Sequence, residues 1–105
     1  MTTHAFRMML KPGQADEYRR RHDALWPDLA AALTDAGIHD YAIFLDPETN
    51  ALFAVLKVHD DADRRATLPG LPVMQRWWDH MADIMEVEPS NRPCETPLIP
   101  MFHFA

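Results

Sequence analysis

The chain has 105 residues, enough for one domain spanning 1–105 that buries about two thirds of its unfolded surface. Apolar residues make up 48% and charged ones 25%, which excludes a disordered chain, and the net charge of -6 repels nucleic acid and anionic membranes and favours a neutral partner. The single cysteine, Cys94, excludes an intrachain disulfide and suits a reducing compartment; with no apolar run long enough for a signal peptide or a membrane span, a cytoplasmic protein is expected.

The run HAFRMML, residues 4–10, alternates like a strand, and the KPG that follows is turn chemistry. A helix is expected from Asp16 to Ala36, with Leu25, Leu29 and Leu33 at four-residue spacing and Gly37 as a left-handed stop. Tyr18 and His22, also four apart, share one face of it. Pro27 lacks an N–H and crowds the carbonyl of Asp23, so the helix should kink or restart near Trp26, freeing that carbonyl for water or a ligand.

HDYAIFL (39–45) and ALFAVLKVH (51–59), joined by DPETN, read as a β-hairpin with two apolar faces, Tyr41, Ile43 and Leu45 on one and Ala42 and Phe44 on the other. Residues 60–71 form a charged turn or short helix. A second helix is expected over Pro72–Met85, with Met74, Trp77, Trp78, Met81 and Met85 on one face. Residues 86–97, with three prolines, read as a surface loop, and Pro100 restricts the closing LIPMFHFA to an edge or broken strand. This order is that of an α+β, ferredoxin-like βαββαβ fold, a four-stranded antiparallel sheet with both helices on one face. The other apolar face needs a cover, and a second copy packed sheet against sheet would give a symmetric homodimer.

Several chemistries lack their residues. The six histidines form no HxH or HExxH pair and there is no CxxC, so no metal site is expected; three glycines build no phosphate loop; the only serine, Ser90, lies in the loop. The remaining set suits a sugar or polyol. His22 titrates near neutrality and serves as acid or base, with Tyr18 one turn away. Adjacent Trp77 and Trp78 diverge by about 100° around a helix, so one enters the core while the other borders a pocket, where an indole offers its face to sugar C–H groups and its N–H to a hydroxyl. Tyr41 needs a partner for its hydroxyl if buried.

The segments EYRRRHDALWPDL, HDYAIFLD, LFAVLKV and QRWWDHMADIMEVEPSNRP resemble the L-rhamnose mutarotase family over nearly the entire chain. The resemblance implies a dimeric α/β barrel that interconverts the α and β anomers of L-rhamnose without metal or organic cofactor. It implies that His22 is the catalytic proton donor and that Tyr18, Tyr41, Trp77 and Trp78 bind the sugar. The linker DDADRRATLPGLPV and the ending LIPMFHFA depart from the family pattern. The complementary base stays open among Tyr41, a water and a carboxylate such as Asp83. Two other classes stay open as well, a sugar-binding sensor without catalysis and a cofactor-free monooxygenase of similar dimeric architecture.

Overall fold

A computed structural model describes all residues 1–105. Strand β1 (Thr2–Met9) runs into the Pro12-Gly13 turn, where Gly13 takes a positive φ of 77°. The helix expected over 16–36 is two helices, α1 (Ala15–Asp23) and α2 (Pro27–Asp35). Pro27 does more than kink the backbone. It pushes the preceding Trp26 into an extended conformation, φ -64° and ψ 132°, and then serves as the first residue of α2, where its missing N–H is not needed. Gly37, at φ 90°, ends the second helix in the left-handed region as its position predicts.

Strands β2 (Ile38–Asp46) and β3 (Ala51–Val58) form the expected hairpin, the first one residue longer at each end and the second one residue shorter than its sequence signals. Two 3₁₀ turns, Asp60–Ala62 and Arg65–Gly70, occupy the charged linker. Helix α3 (Pro72–Met81) then passes into a 3₁₀ turn at Ala82–Ile84, so the 72–85 stripe is not a single α-helix. The last strand differs most from expectation. Strand β4 is only Thr96–Pro97, prolonged by a bond from the Leu98 N–H to the Ala5 carbonyl, and the strand-like 99–105 run forms no strand and is exposed. Proline at 97 and 100 removes the donors that a longer ladder needs.

The sheet is antiparallel in the order β2-β3-β1-β4. One face carries Phe6, Met8, Leu52, Ala54, Ile43 and Leu45 against Tyr18, Leu29, Met74, Trp77 and Met81 of the helices. Leu29, Leu52 and Met81 are almost wholly buried, and each contributes about 1.5–3 kcal/mol by leaving water. The other face shows Ala42 and Phe44 to solvent, with Phe44 62% exposed.

A β-bulge in β2 matters for function. Ile38 pairs with Val58 and Ile43 with Ala54, so one extra residue is inserted between His39 and Ala42, with Asp40 at φ 48°. The insertion reverses side-chain parity, and Ile38 faces the helices together with Ile43 and Leu45. Tyr41, which lies within the bulge, meets Phe6 edge-on at 6.5 Å on that same side.

Candidate active site

Between the helices and the sheet lies a cavity of about 610 Å³, within the span of small-molecule sites, about 300–1,000 Å³. Tyr18, His22, Tyr41, Trp77 and Trp78 all line it, brought from α1, β2 and α3. Most of the wall is apolar, with Leu25, Leu29, Leu45 and Met74 among its members, and the polar groups are few.

Helix α1 sets the first two residues. Tyr18 and His22 stack with ring centroids 4.2 Å apart, as an i, i+4 pair should. His22 Nδ1 lies 2.9 Å from the Tyr18 carbonyl oxygen. A carbonyl only accepts, so Nδ1 carries the proton and Nε2 is left with a lone pair in the neutral ring. Burial pushes the His22 pKa below its ordinary value, against smaller raising effects of that backbone bond and of Asp23. His22 is therefore neutral at pH 7.

Trp77 holds the imidazole from the other helix, edge-on at 5.3 Å, and is itself backed by Trp26 at 5.1 Å. It is 6% exposed, whereas Trp78 is half-buried beside the guanidinium of Arg92, 5.5 Å from its ring centre. Both tryptophans border the cavity, so the expected split between one core and one pocket tryptophan is a difference of degree. Burial raises the pKa of Tyr18, with further raising from Tyr41; Tyr41 itself, though 38% exposed, is pushed up by partial withdrawal from water and by Glu95. Both phenols keep their protons. No side-chain nitrogen or oxygen is sealed inside without a partner, so the unpaired Tyr18 hydroxyl and Trp77 N–H open towards the cavity.

Asp83 is excluded as the complementary base. Its carboxylate is held by both arms of the Arg21 guanidinium at 2.7 and 3.1 Å, which keeps its pKa below the usual range, and it does not line the cavity. The Asp23 carbonyl lies at the helix break, where Asp23 borders the cavity. Trp26, Arg92 and Glu95 were not singled out from sequence. Trp26 was visible as the residue that Pro27 must hold extended; Arg92 and Glu95 lie in an aperiodic loop that offers no pattern to read. No three His, Cys, Asp or Glu side chains gather as a metal site, and no helix is long and apolar enough to cross a membrane.

Comparison with known proteins gives one answer. Residues 3–104 match the family model described as L-rhamnose mutarotase. A protein named L-rhamnose mutarotase from Burkholderia cenocepacia (strain HI2424) is 60% identical over 103 residues, 98% of either chain. One of that name from Mesorhizobium japonicum is 55% identical over 102 residues, covering 97% of this chain and 96% of its own. The crystal structure of an L-rhamnose mutarotase from Formosa agariphila superposes with a TM-score of 0.92 at 44% identity, covering all of both chains. With a family match over nearly its whole length and relatives above half identity, the chain belongs to the L-rhamnose mutarotase family.

Proposed function

We infer that the protein is an isomerase that interconverts the α and β anomers of L-rhamnopyranose, with His22 as its catalytic residue and Tyr18, Tyr41, Trp77 and Trp78 as its sugar contacts. The observation that carries this reading is the shared cavity of those five side chains, with His22 locked as the Nδ1–H tautomer on the Tyr18 carbonyl. The apolar wall suits the C5 methyl group of a 6-deoxy sugar, and the phenol and indole donors suit its hydroxyls.

A neutral His22 handles both proton transfers of ring opening. Its Nε2 takes the proton of the anomeric hydroxyl as the C1–O1 double bond forms and the C1–O5 bond breaks, the bonding pair going to O5. The resulting imidazolium returns the proton to O5, giving the open-chain aldehyde. O1 and O5 are both bonded to C1, so one imidazole serves them, and no second carboxylate is required. After rotation about C1–C2 the same transfers in reverse close the ring on the other face. His22 is thus base first and donor second. Such a positioned group gives about 10² to 10⁴-fold, enough to matter for a reaction that already proceeds slowly in water.

The sheet order supports a ferredoxin-like reading, and the uncovered face with Phe44, together with the apolar 99–105 tail, supports a homodimer with sheets packed face to face. We place the protein in the cytoplasm, where Cys94 would stay reduced. The test is proton NMR saturation transfer between the two anomeric protons of L-rhamnose. Faster transfer with the protein, lost in His22→Ala, is expected; saturable sugar binding without added transfer would make the protein a sensor and overturn the enzyme reading.

A further inference from the structure

We propose that Arg92 and Glu95 are the hydroxyl-recognising pair of this cavity, holding two adjacent ring hydroxyls of the pyranose beside the indole of Trp78. The identity of the sugar rests on the function inferred above; the pair adds the residues that tell one sugar from another.

Both side chains line the cavity. Arg92 Nη2 and Glu95 Oε2 stand 3.8 Å apart, close enough to neutralise each other and too far for a hydrogen bond, and neither side chain has a hydrogen bond within the chain. Five donors and a full set of acceptors are therefore open to a ligand. Arg19, which lines the cavity from α1, is also unpaired but has no carboxylate at ion-pair distance and no aromatic ring beneath it; the others differ. Arg21 is consumed by Glu17, Asp83 and the His80 carbonyl, and Arg65, which also lines the cavity, by Asp63 and His4. Arg92 alone lies over an aromatic ring of the cavity wall, 5.5 Å from the centre of Trp78.

The pair is also held rigidly, as recognition requires. Its segment is a tight turn in which the Glu88 N–H donates to the Arg92 carbonyl at 2.8 Å and the Asn91 N–H to the Glu88 carbonyl at 2.8 Å. The Cys94 N–H donates to the Glu86 carbonyl at 3.1 Å, and Asn91 Nδ2 donates to Asp79 of α3 at 3.0 Å. Pro93, buried between the two residues, fixes the backbone that aims them. Burial raises the Glu95 pKa, against the lowering by Arg92 and with Glu88 raising it further, as befits a carboxylate partly withdrawn from water. A carboxylate and a guanidinium side by side accept from one hydroxyl and donate to the next, while the aromatic wall takes the C–H groups.

The test compares binding of L-rhamnose with that of 3-deoxy- and 4-deoxy-L-rhamnose by calorimetric titration, for wild type, Arg92→Lys and Glu95→Gln. Hydrogen bonds to charged groups predict that wild type loses about tenfold to a hundredfold in affinity for at least one deoxy sugar. In both variants L-rhamnose should weaken by a similar factor and the discrimination should shrink to about threefold or less. Arg92→Lys keeps the charge and Glu95→Gln the shape, so the turn survives. Variants that bind L-rhamnose like wild type, or that keep its discrimination, overturn the pair while leaving wild-type anomer exchange intact. A wild type that neither binds nor exchanges the sugar overturns the pair and the function together.

Discussion

The protonation state of His22 makes the sharpest prediction. If neutral Nε2 is the working atom, the enzyme's rate should be flat from about pH 8 to 7 and should fall only as pH drops through the His22 pKa. That pKa lies below the ordinary value of about 6.5 because the ring is buried against Tyr18 and Trp77. Below it the neutral fraction falls about tenfold per pH unit. No alkaline fall is expected up to about pH 9, since withdrawal from water holds both phenols above their ordinary range near 10. Folding should follow the same sign: the unfolded chain binds the proton more readily, so this contribution to stability is fully present above about pH 6.5 and is lost as pH falls through the depressed value. The assay is saturation transfer between the anomeric protons at each pH, with the buffer-only rate subtracted because acid and base also speed the free reaction. His22→Ala should remove about 10² to 10⁴-fold of the difference. An enzyme rate that rises as pH falls from 8 to 6 would mean that the imidazolium starts the reaction, and would refute the tautomer argument.

Trp77 and Trp78 should separate by readout. Trp77→Ala empties a site packed by His22 and Trp26 and should cost about 3–5 kcal/mol, lowering Tm by more than about 10 °C, whereas Trp78→Ala should cost less than half of that and chiefly raise KM. Gly37→Ala would place a Cβ 2.5 Å from the Ala62 carbonyl oxygen at φ 90° and should destabilise by about 1–3 kcal/mol in urea titration. Acid should act through Glu17, whose pKa is held down to about 2 by hydrogen bonds from Arg20 and Arg21, and through Asp83, lowered by Arg21. Their contribution is present above about pH 4.5 and lost as pH falls towards 2, a decline that Arg21→Met should flatten in acid titrations followed by circular dichroism. With a second copy on the uncovered sheet face, as proposed above, wild type should sediment as a dimer and Phe44→Asp as a folded monomer; a monomeric wild type would refute the homodimer.

Much of the fold was legible because its signals are local. The turn residues Gly13 and Gly37 and the hairpin around DPETN each act within a few positions, and all appear where expected. The facing of Tyr41, Ile43 and Leu45 was also legible by alternation. The bulge was not: nothing in HDY announces that Asp40 will adopt a positive φ, yet that residue sets Ile38 and Ile43, five apart, on one face. The five side chains that the cavity gathers were legible as a resemblance and, for Tyr18 and His22, as a helical spacing. Their tautomer was not, because it depends on a 2.9 Å contact with a carbonyl that every residue possesses. The expected last strand failed because apolar content in 99–105 was read as a burial signal, whereas in one copy of the chain Phe102 and Phe104 stay exposed.

The run Arg19-Arg20-Arg21 just before His22 looks, as sequence, like a solvated face whose charge should perturb the histidine. The structure pairs two of these three charges and leaves Arg19 free at the cavity wall. Glu17 accepts from Arg20 and Arg21 on the same helix, in the favourable orientation of an acid in the first turn and bases in the last, and Asp83 takes the other side of Arg21. With Arg20 and Arg21 paired, burial is the main influence on His22. The same Arg21 side chain, only 11% exposed, also donates to the His80 carbonyl at the end of α3. That bond joins the helix of His22 to the helix of Trp77. A single charged residue thus ties α1 to α3 and helps fix the distance between the rings that enclose the imidazole, while the backbone breaks at Pro27, beyond the α1 half of the site.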